Sequence, residues 1–313
     1  MTNPPAPLFR DPVYDGATDP TVIWNRQEGT WWLLYTSRRA NVSCRGVAWV
    51  HGTDIGIASS ADRGRAWRYR GTLDGLEFEP GRTTFWAPEV IWHNDLYHMY
   101  VSYVRGVPHD WTGARAIVHL TSENSWRWRH ESILALSSGR VIDAAVHRMP
   151  GGHWRMWYKD EVNGSHTWAA DSDDLYHWTV HGPVITDCAH EGANVFRWRG
   201  SYWLIIDHWD GLGVYRSADA ENWRRCANIL DTPGLRRDDG AIGAHADVLV
   251  NGERAFIFCF THPEWDRKAL YGMDEIHPTH VKRTALQVAE LEWRDGMLIC
   301  DRDRDFDFRL LPG

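Results

Sequence analysis

Asp19-Pro20-Thr21-Val22-Ile23-Trp24 returns four times along the chain in altered form. The copies are Ala87-Pro88-Glu89-Val90-Ile91-Trp92, Asp143-Ala144-Ala145-Val146-His147-Arg148, Gly192-Ala193-Asn194-Val195-Phe196-Arg197 and His245-Ala246-Asp247-Val248-Leu249-Val250. Valine stands fourth in every copy. Each is followed by a short turn and then an aromatic-rich run: Thr30 to Thr36, Leu96 to Tyr103, His153 to Tyr158, Ser201 to Ile206 and Arg254 to Phe260. Tyr97, Met99, Val101 and Tyr103 alternate with the strand period of two. Gly and Asn at the joints, as in Asn94-Asp95 and Asn251-Gly252, supply the positive φ that tight hairpins need. In four segments a small polar cluster then leads to a tryptophan: Ser59 to Trp67, Thr121 to Trp126, Asp171 to Trp178 and Ser217 to Trp223. The fifth runs through Leu286 to Trp293, turns at Asp295-Gly296 and closes with Met297 to Cys300.

This recurring unit reads as a four-stranded antiparallel sheet. Five copies, with no helical periodicity between them, predict an all-β fold: a five-bladed β-propeller. A β-sandwich gives no reason for one unit to recur. The blades span roughly residues 16–75, 84–136, 139–185, 187–231 and 239–308 of a single domain covering 1–313. Whether residues 1–15 complete a blade or lie along the surface is not legible.

In a propeller the first strand of each blade lines the central channel, and all of these strands run the same way. Their first residues therefore converge on one mouth. Asp19, Asp143 and His245 open three of the copies, and Glu191 directly precedes a fourth. Carboxylates crowded together cannot all stay ionised, so one pKa rises while another stays low. An acid facing a base across a cleft is what glycosidic cleavage requires. Singly, each residue has a plain structural reading: an Asp before Pro opens turns, and Glu191 reads equally as a loop acid. Their shared register in three repeats argues for a site.

On these residues the chain resembles glycoside hydrolase family 43, from Asp19 to about Trp293. Asp19-Pro20 is similar to that family's opening Asp-Pro, Trp86-Ala87-Pro88-Glu89 to its Trp-Ala-Pro-Asp, Ile142-Asp143 to its Ile-Asp, and Glu191-Gly192 to its Glu-Gly-Pro. The resemblance implies an inverting glycosidase with Asp19 as base, Glu191 as acid and Asp143 tuning that acid. The expected base-to-acid separation is about 6.5–9.5 Å. It also implies α-L-arabinofuranosides or β-D-xylosides as substrates, no required cofactor, His245 at the axis beside a calcium ion or its waters, and Arg283-Thr284 on the sugar. Glu89 in place of Asp and Ala193 in place of Pro mark a divergent branch.

Twenty tryptophans are the compositional anomaly of the 313 residues. An indole face suits stacking on a sugar ring, and Trp86, Trp24 and Trp209 are the candidates. His208 is expected to line the cleft, and His147, His190 and His262 are further candidates for sugar hydrogen bonds. No H-E-x-x-H, paired Cys, P-loop or nucleophile elbow is present. A net charge of −8 with scattered Lys and Arg gives no reason to expect nucleic acid or membrane partners. Five widely spaced cysteines and no basic, apolar leader at Met1–Arg10 favour a cytoplasmic setting. The loops Arg38–Gly52 and Val104–Ala114 are expected to rim the funnel and close it for exo action on a small oligosaccharide. Two other classes compete: a silent carbohydrate-binding propeller, which need not retain all three acids, and a phosphorylase, for which Arg283 and Arg140 are the basic residues to nominate. Oligomeric state is not legible.

Overall fold

The computed structural model of the chain describes residues 3–265 and 272–313. Its strands form five four-stranded antiparallel sheets, each built from strands consecutive in sequence. Blade one holds β1 (Ala17–Asn25), β2 (Thr30–Ser37), β3 (Asp54–Ser60) and β4 (Arg68–Thr72). Blade two holds β5 (Thr84–His93), β6 (Leu96–Val104), β7 (Ala116–Ser122) and β8 (Arg129–Ile133). Blade three holds β9 (Val141–Arg148), β10 (Trp154–Asp160), β11 (His166–Ser172) and β12 (Thr179–Ile185). Blade four holds β13 (Glu191–Trp198), β14 (Ser201–Asp207), β15 (Leu212–Ser217) and β16 (Arg224–Ile229). Blade five holds β17 (Ala244–Asn251), β18 (Arg254–Thr261), β19 (Ala285–Arg294) and β20 (Met297–Ile299). The innermost strands β1, β5, β9, β13 and β17 neighbour one another in a closed ring. The fold expected from the repeats is the fold observed.

Period-two alternation explains the core. Trp31, Leu33 and Tyr35 of β2 face blade five, while Trp32 and Leu34 face blade two. The core is thus a set of apolar wedges between blades. Most tryptophans serve it: Trp32, Trp157 and Trp203, on the second strands of three blades, are fully buried. The polar turns recur as expected, with a serine hydroxyl accepting the N–H of the residue three ahead at Ser122, Ser172 and Ser217. The tryptophan that closes the second-blade turn is Trp128, whose indole donates to Ser125 as Trp178 donates to Leu175. Trp126, expected there, instead meets Trp32 edge-on at 4.8 Å.

Residues 3–15 add no strand. They meet blade five through a Phe9–Leu286 bridge, and Leu8 and Phe9 fill the wedge between blades five and one with Phe306, Phe308 and Leu310 of the C-terminal tail. Both chain ends thereby close the ring.

Every inner strand carries a bulge at the same place, where its pairing shifts register: Thr18/Thr21, Trp86/Glu89, Ile142/Ala145, Glu191/Asn194 and Ala244/Asp247. The residue at each bulge is left-handed, with φ of 49° at Asp19, 47° at Ala87, 60° at Asp143, 61° at Gly192 and 28° at His245. These are the first residues of the five repeats. A bulge re-aims the side chain it carries. The third residues lace the blades together. Glu89 accepts from Val146 N at 2.8 Å, Asp247 from Val22 N at 2.8 Å, and Asn194 from Val248 N at 3.2 Å.

Glu89 and Asp247 also wall a cavity of about 10 Å³ on the axis. Burial, and next the nearby Asp247, pushes Glu89 up to about 8. A carboxyl raised in the folded state contributes stability that is full below its ordinary value and lost as pH rises through the raised one. The wild-type protein should therefore lose stability to urea between pH 4.5 and about 8. Glu89→Gln, which keeps the acceptor for Val146, should flatten that loss. Equal slopes in the two proteins would refute the assignment.

Candidate active site

The bulges bring Asp19, Asp143 and His245 to one mouth, and Glu191, one residue before the fourth bulge, joins them. Gly192 makes this possible, because the His245 ring lies 2.9 Å from where a Cβ would sit. Asp19 accepts from Thr18 Oγ1 at 2.9 Å and faces Arg38 at 3.4 Å and His245 Nδ1 at 3.5 Å. Asp143 accepts from Gly192 N at 3.2 Å. Lys159 Nζ lies 3.0 Å from Glu191 Oε2. Among the three carboxylates Glu191 is the open one: its side chain is 28% exposed against 4% for Asp19.

Two further residues complete the centre. Asp207, the last residue of β14, pairs in register with Glu191. Its carboxylate accepts from His245 N at 2.9 Å and from Trp209 N at 2.7 Å. Lys159 holds the corresponding place on β10, as Thr36 does on β2 and Ser102 on β6. Thr36 and Ser102 cap the bulge amides of Ala87 and Asp143 at 2.8 and 2.9 Å.

The charges divide sharply. Burial is the largest influence on Glu191 and would raise it, but Lys159, the Trp209 indole N–H and His245 together hold it down at about 2. Burial, opposed by His245 and reinforced by Glu191, pushes Asp143 up to about 6. Burial and the adjacent Glu191 push Asp207 up to about 7. His245 is lowered by burial but raised more by Asp143, Asp19, Glu191 and Asp207, which favours the imidazolium. One carboxylate held strongly acidic thus stands beside two whose affinity for protons is raised. Such a separation equips a site for acid–base work.

A calcium ion at His245 does not fit these residues. Calcium takes about six to eight oxygen ligands, and the axial cavity beside His245 has about 10 Å³ of space, too little for an ion with its waters.

A thermostable family-43 glycoside hydrolase superposes with a TM-score of 0.69 at 20% identity, covering 96% of this chain and 99% of that one. The GH43_1 enzyme from Xanthomonas citri complexed with xylotriose gives 0.68 at 15% identity over 95% and 93%. An exo-1,5-α-L-arabinanase from a bovine ruminal metagenomic library gives 0.64 at 14% identity over 95% and 100%. The chain has the fold of family-43 glycoside hydrolases. No protein-family model and no curated protein matches the sequence.

Within this family-43 fold the remaining candidates scatter. Trp209 is 45% exposed at the mouth, with Lys159 Nζ 5.1 Å from its ring. Trp86 is buried, its indole donating to Val50 O and its ring near His51 at 5.0 Å, so it forms a floor and not an open platform. Trp24 sits towards the opposite end of β1 from Asp19, packed on Trp31 at 5.3 Å. It is removed from the site because the four strand residues Pro20, Thr21, Val22 and Ile23 separate it from Asp19. Arg283 bonds Asp238 at 2.6 Å and Glu264 at 2.9 Å and belongs to that ion network. Arg140 pairs with Glu161, which also binds Arg115 and Lys159. His208 meets Cys188 at 3.4 Å, and His147 stacks edge-on to Tyr202.

Asp207→Ala would leave two backbone N–H groups, those of His245 and Trp209, without their acceptor. The expected cost in urea denaturation is about 1–3 kcal/mol, with Asp207→Asn recovering part of it. An unchanged midpoint in the alanine variant would show that Asp207 does not hold this centre.

Proposed function

We propose that the protein is an inverting, exo-acting glycoside hydrolase of arabinofuranosidase or xylosidase type, taking small oligosaccharides and needing no cofactor. The observation that carries this reading is the mouth itself. Asp19 and Glu191 flank His245 there, Asp143 and Asp207 behind them are raised by burial, and Trp209 stands exposed beside Glu191. In this reading Asp19 takes a proton from the attacking water and Glu191 protonates the departing oxygen. The fold-level likeness to xylotriose-complexed and arabinan-cleaving structures supports the substrate class.

Glu191 must gain a proton to act as the acid. Lys159 is the nearest group holding it ionised, so a sugar oxygen that takes the place of Lys159 lets burial raise the carboxyl. Asp143 and Asp207 are the adjacent proton-holding groups from which it can be supplied.

Loop contacts support exo action. Val47 N of the blade-one loop donates to His109 O of the blade-two loop at 2.9 Å, and Gly46 N donates to Glu275 O of the blade-five insertion at 2.7 Å. Three insertions therefore knit over one side of the mouth, which favours a terminal sugar over the interior of a chain.

The Lys159–Glu191 pair is also what favours a second reading, a sugar-binding propeller without catalysis. Hydrolysis of aryl arabinofuranosides, xylosides and galactofuranosides separates the two. Under the first reading one of them is cleaved, and Asp19→Asn and Glu191→Gln each lower kcat by about 10²–10⁴. Activity surviving both changes would sink the assignment. Binding of xylotriose without hydrolysis of any member would establish the second reading.

A further inference from the structure

Lys159 stands between two carboxylates, and only one of them has a part in the glycosidase reading. Its Nζ lies 3.0 Å from Glu191 Oε2 and 3.5 Å from Glu161 Oε1. Glu161 directly follows the end of β10, and its other oxygen, Oε2, pairs with Arg115 Nη1 and Arg140 Nη2. We propose that Glu161 is a positioning residue for the acid: it draws the Lys159 ammonium off Glu191 when a sugar enters, and so frees that carboxyl to be protonated. This inference rests on the glycosidase reading and deepens it by naming the group that receives the lysine.

Geometry gives the first support. Both arginines bind Oε2 of Glu161, which leaves Oε1 turned to Lys159. The two contacts of Nζ are so nearly equal that a small rotation of the lysine stem exchanges one for the other. Residue type gives the second. An arginine fork would grip Glu191 in a fixed two-point contact, whereas an ammonium is a compact charge on a flexible stem. Of the 34 basic residues only three, Lys159, Lys268 and Lys282, are lysines, so a lysine here departs from the chain's general usage. Position gives the third. The exposed Trp209 ring lies 5.1 Å from Nζ, so a sugar stacked on that indole arrives where Lys159 meets Glu191.

With the ammonium on Glu161, burial prevails over the remaining groups that hold Glu191 down, because Lys159 is the largest of them. The groups that still face Glu191 are Asp143 on β9, Asp207 on β14, the Trp209 indole, His245 on β17 and Arg115 just before β7.

The pH dependence of kcat on the best-cleaved aryl glycoside tests this, because its basic limb follows ionisation of the acid in the bound enzyme. Glu161→Gln, which leaves Lys159 to Glu191 alone, should move that limb down by about one pH unit or more, and Lys159→Met should move it up by about 1–3. In the Lys159→Met background Glu161→Gln should move the limb far less. A merely structural role would lower kcat at every pH and leave the limb in place. An unmoved limb in Glu161→Gln overturns the proposal, and so does an equal shift in both backgrounds, which would show Glu161 acting through Arg115. Should Glu161→Gln not fold, Lys159→Arg decides, since it keeps the arginine pairs of Glu161: a lowered limb supports the proposal and a wild-type limb overturns it. A wild type that cleaves no member of the panel at any pH sinks the glycosidase reading itself, and the inference with it.

Discussion

Five left-handed residues, one at the entrance of each inner strand, are the constraint on which the rest of the molecule depends. Outside glycine such a conformation costs about 1–3 kcal/mol and survives only where its surroundings enforce it. Here the enforcement comes from the neighbouring blade: Thr36 caps Ala87, Ser102 caps Asp143, and Asp207 caps His245. The hydrogen bonds that join consecutive blades are therefore the ones that turn Asp143 and His245 toward the axis. Ring closure and site assembly are a single event. The fold places chemistry at this mouth for the same reason that it closes.

The sequence disclosed this arrangement to the extent that it repeats. Valine at the fourth position set the register of all five copies, and from the register followed the inner strands, the shared mouth, and Asp19, Asp143, Glu191 and His245. Asp207 and Lys159 escaped notice because they end second strands, where Thr36, Ser102, Lys159, Asp207 and Phe260 share a place but no chemical type. Comparing those strand ends across the repeats would have found them. Trp24 and Trp86 were misjudged because indole content alone does not distinguish a platform from a wedge. The strand position of Trp24 already puts it far from Asp19, while the burial of Trp86 depends on a loop fold that no periodicity reveals. The ion pairs of Arg283 are illegible for a similar reason, since Asp238 and Glu264 come from separate loops.

Electrostatically the mouth is a balance, not a simple acidic patch. Four carboxylates surround one imidazole, and the basic residues Lys159, Arg38 and Arg115 stand close by. Burial raises Asp143 and Asp207, and it would raise Glu191 too without Lys159. The most open carboxylate is consequently the one kept ionised, by its contact with Lys159.

In the proposed inverting mechanism Asp19 and Glu191 face one another across a space sized for water. Proton NMR of the first sugar anomer released from the best aryl glycoside, recorded before mutarotation, tests it most directly. Release of the inverted anomer is the predicted result. Release of the retained anomer would mean that a carboxylate attacks the sugar itself, and would contradict the account.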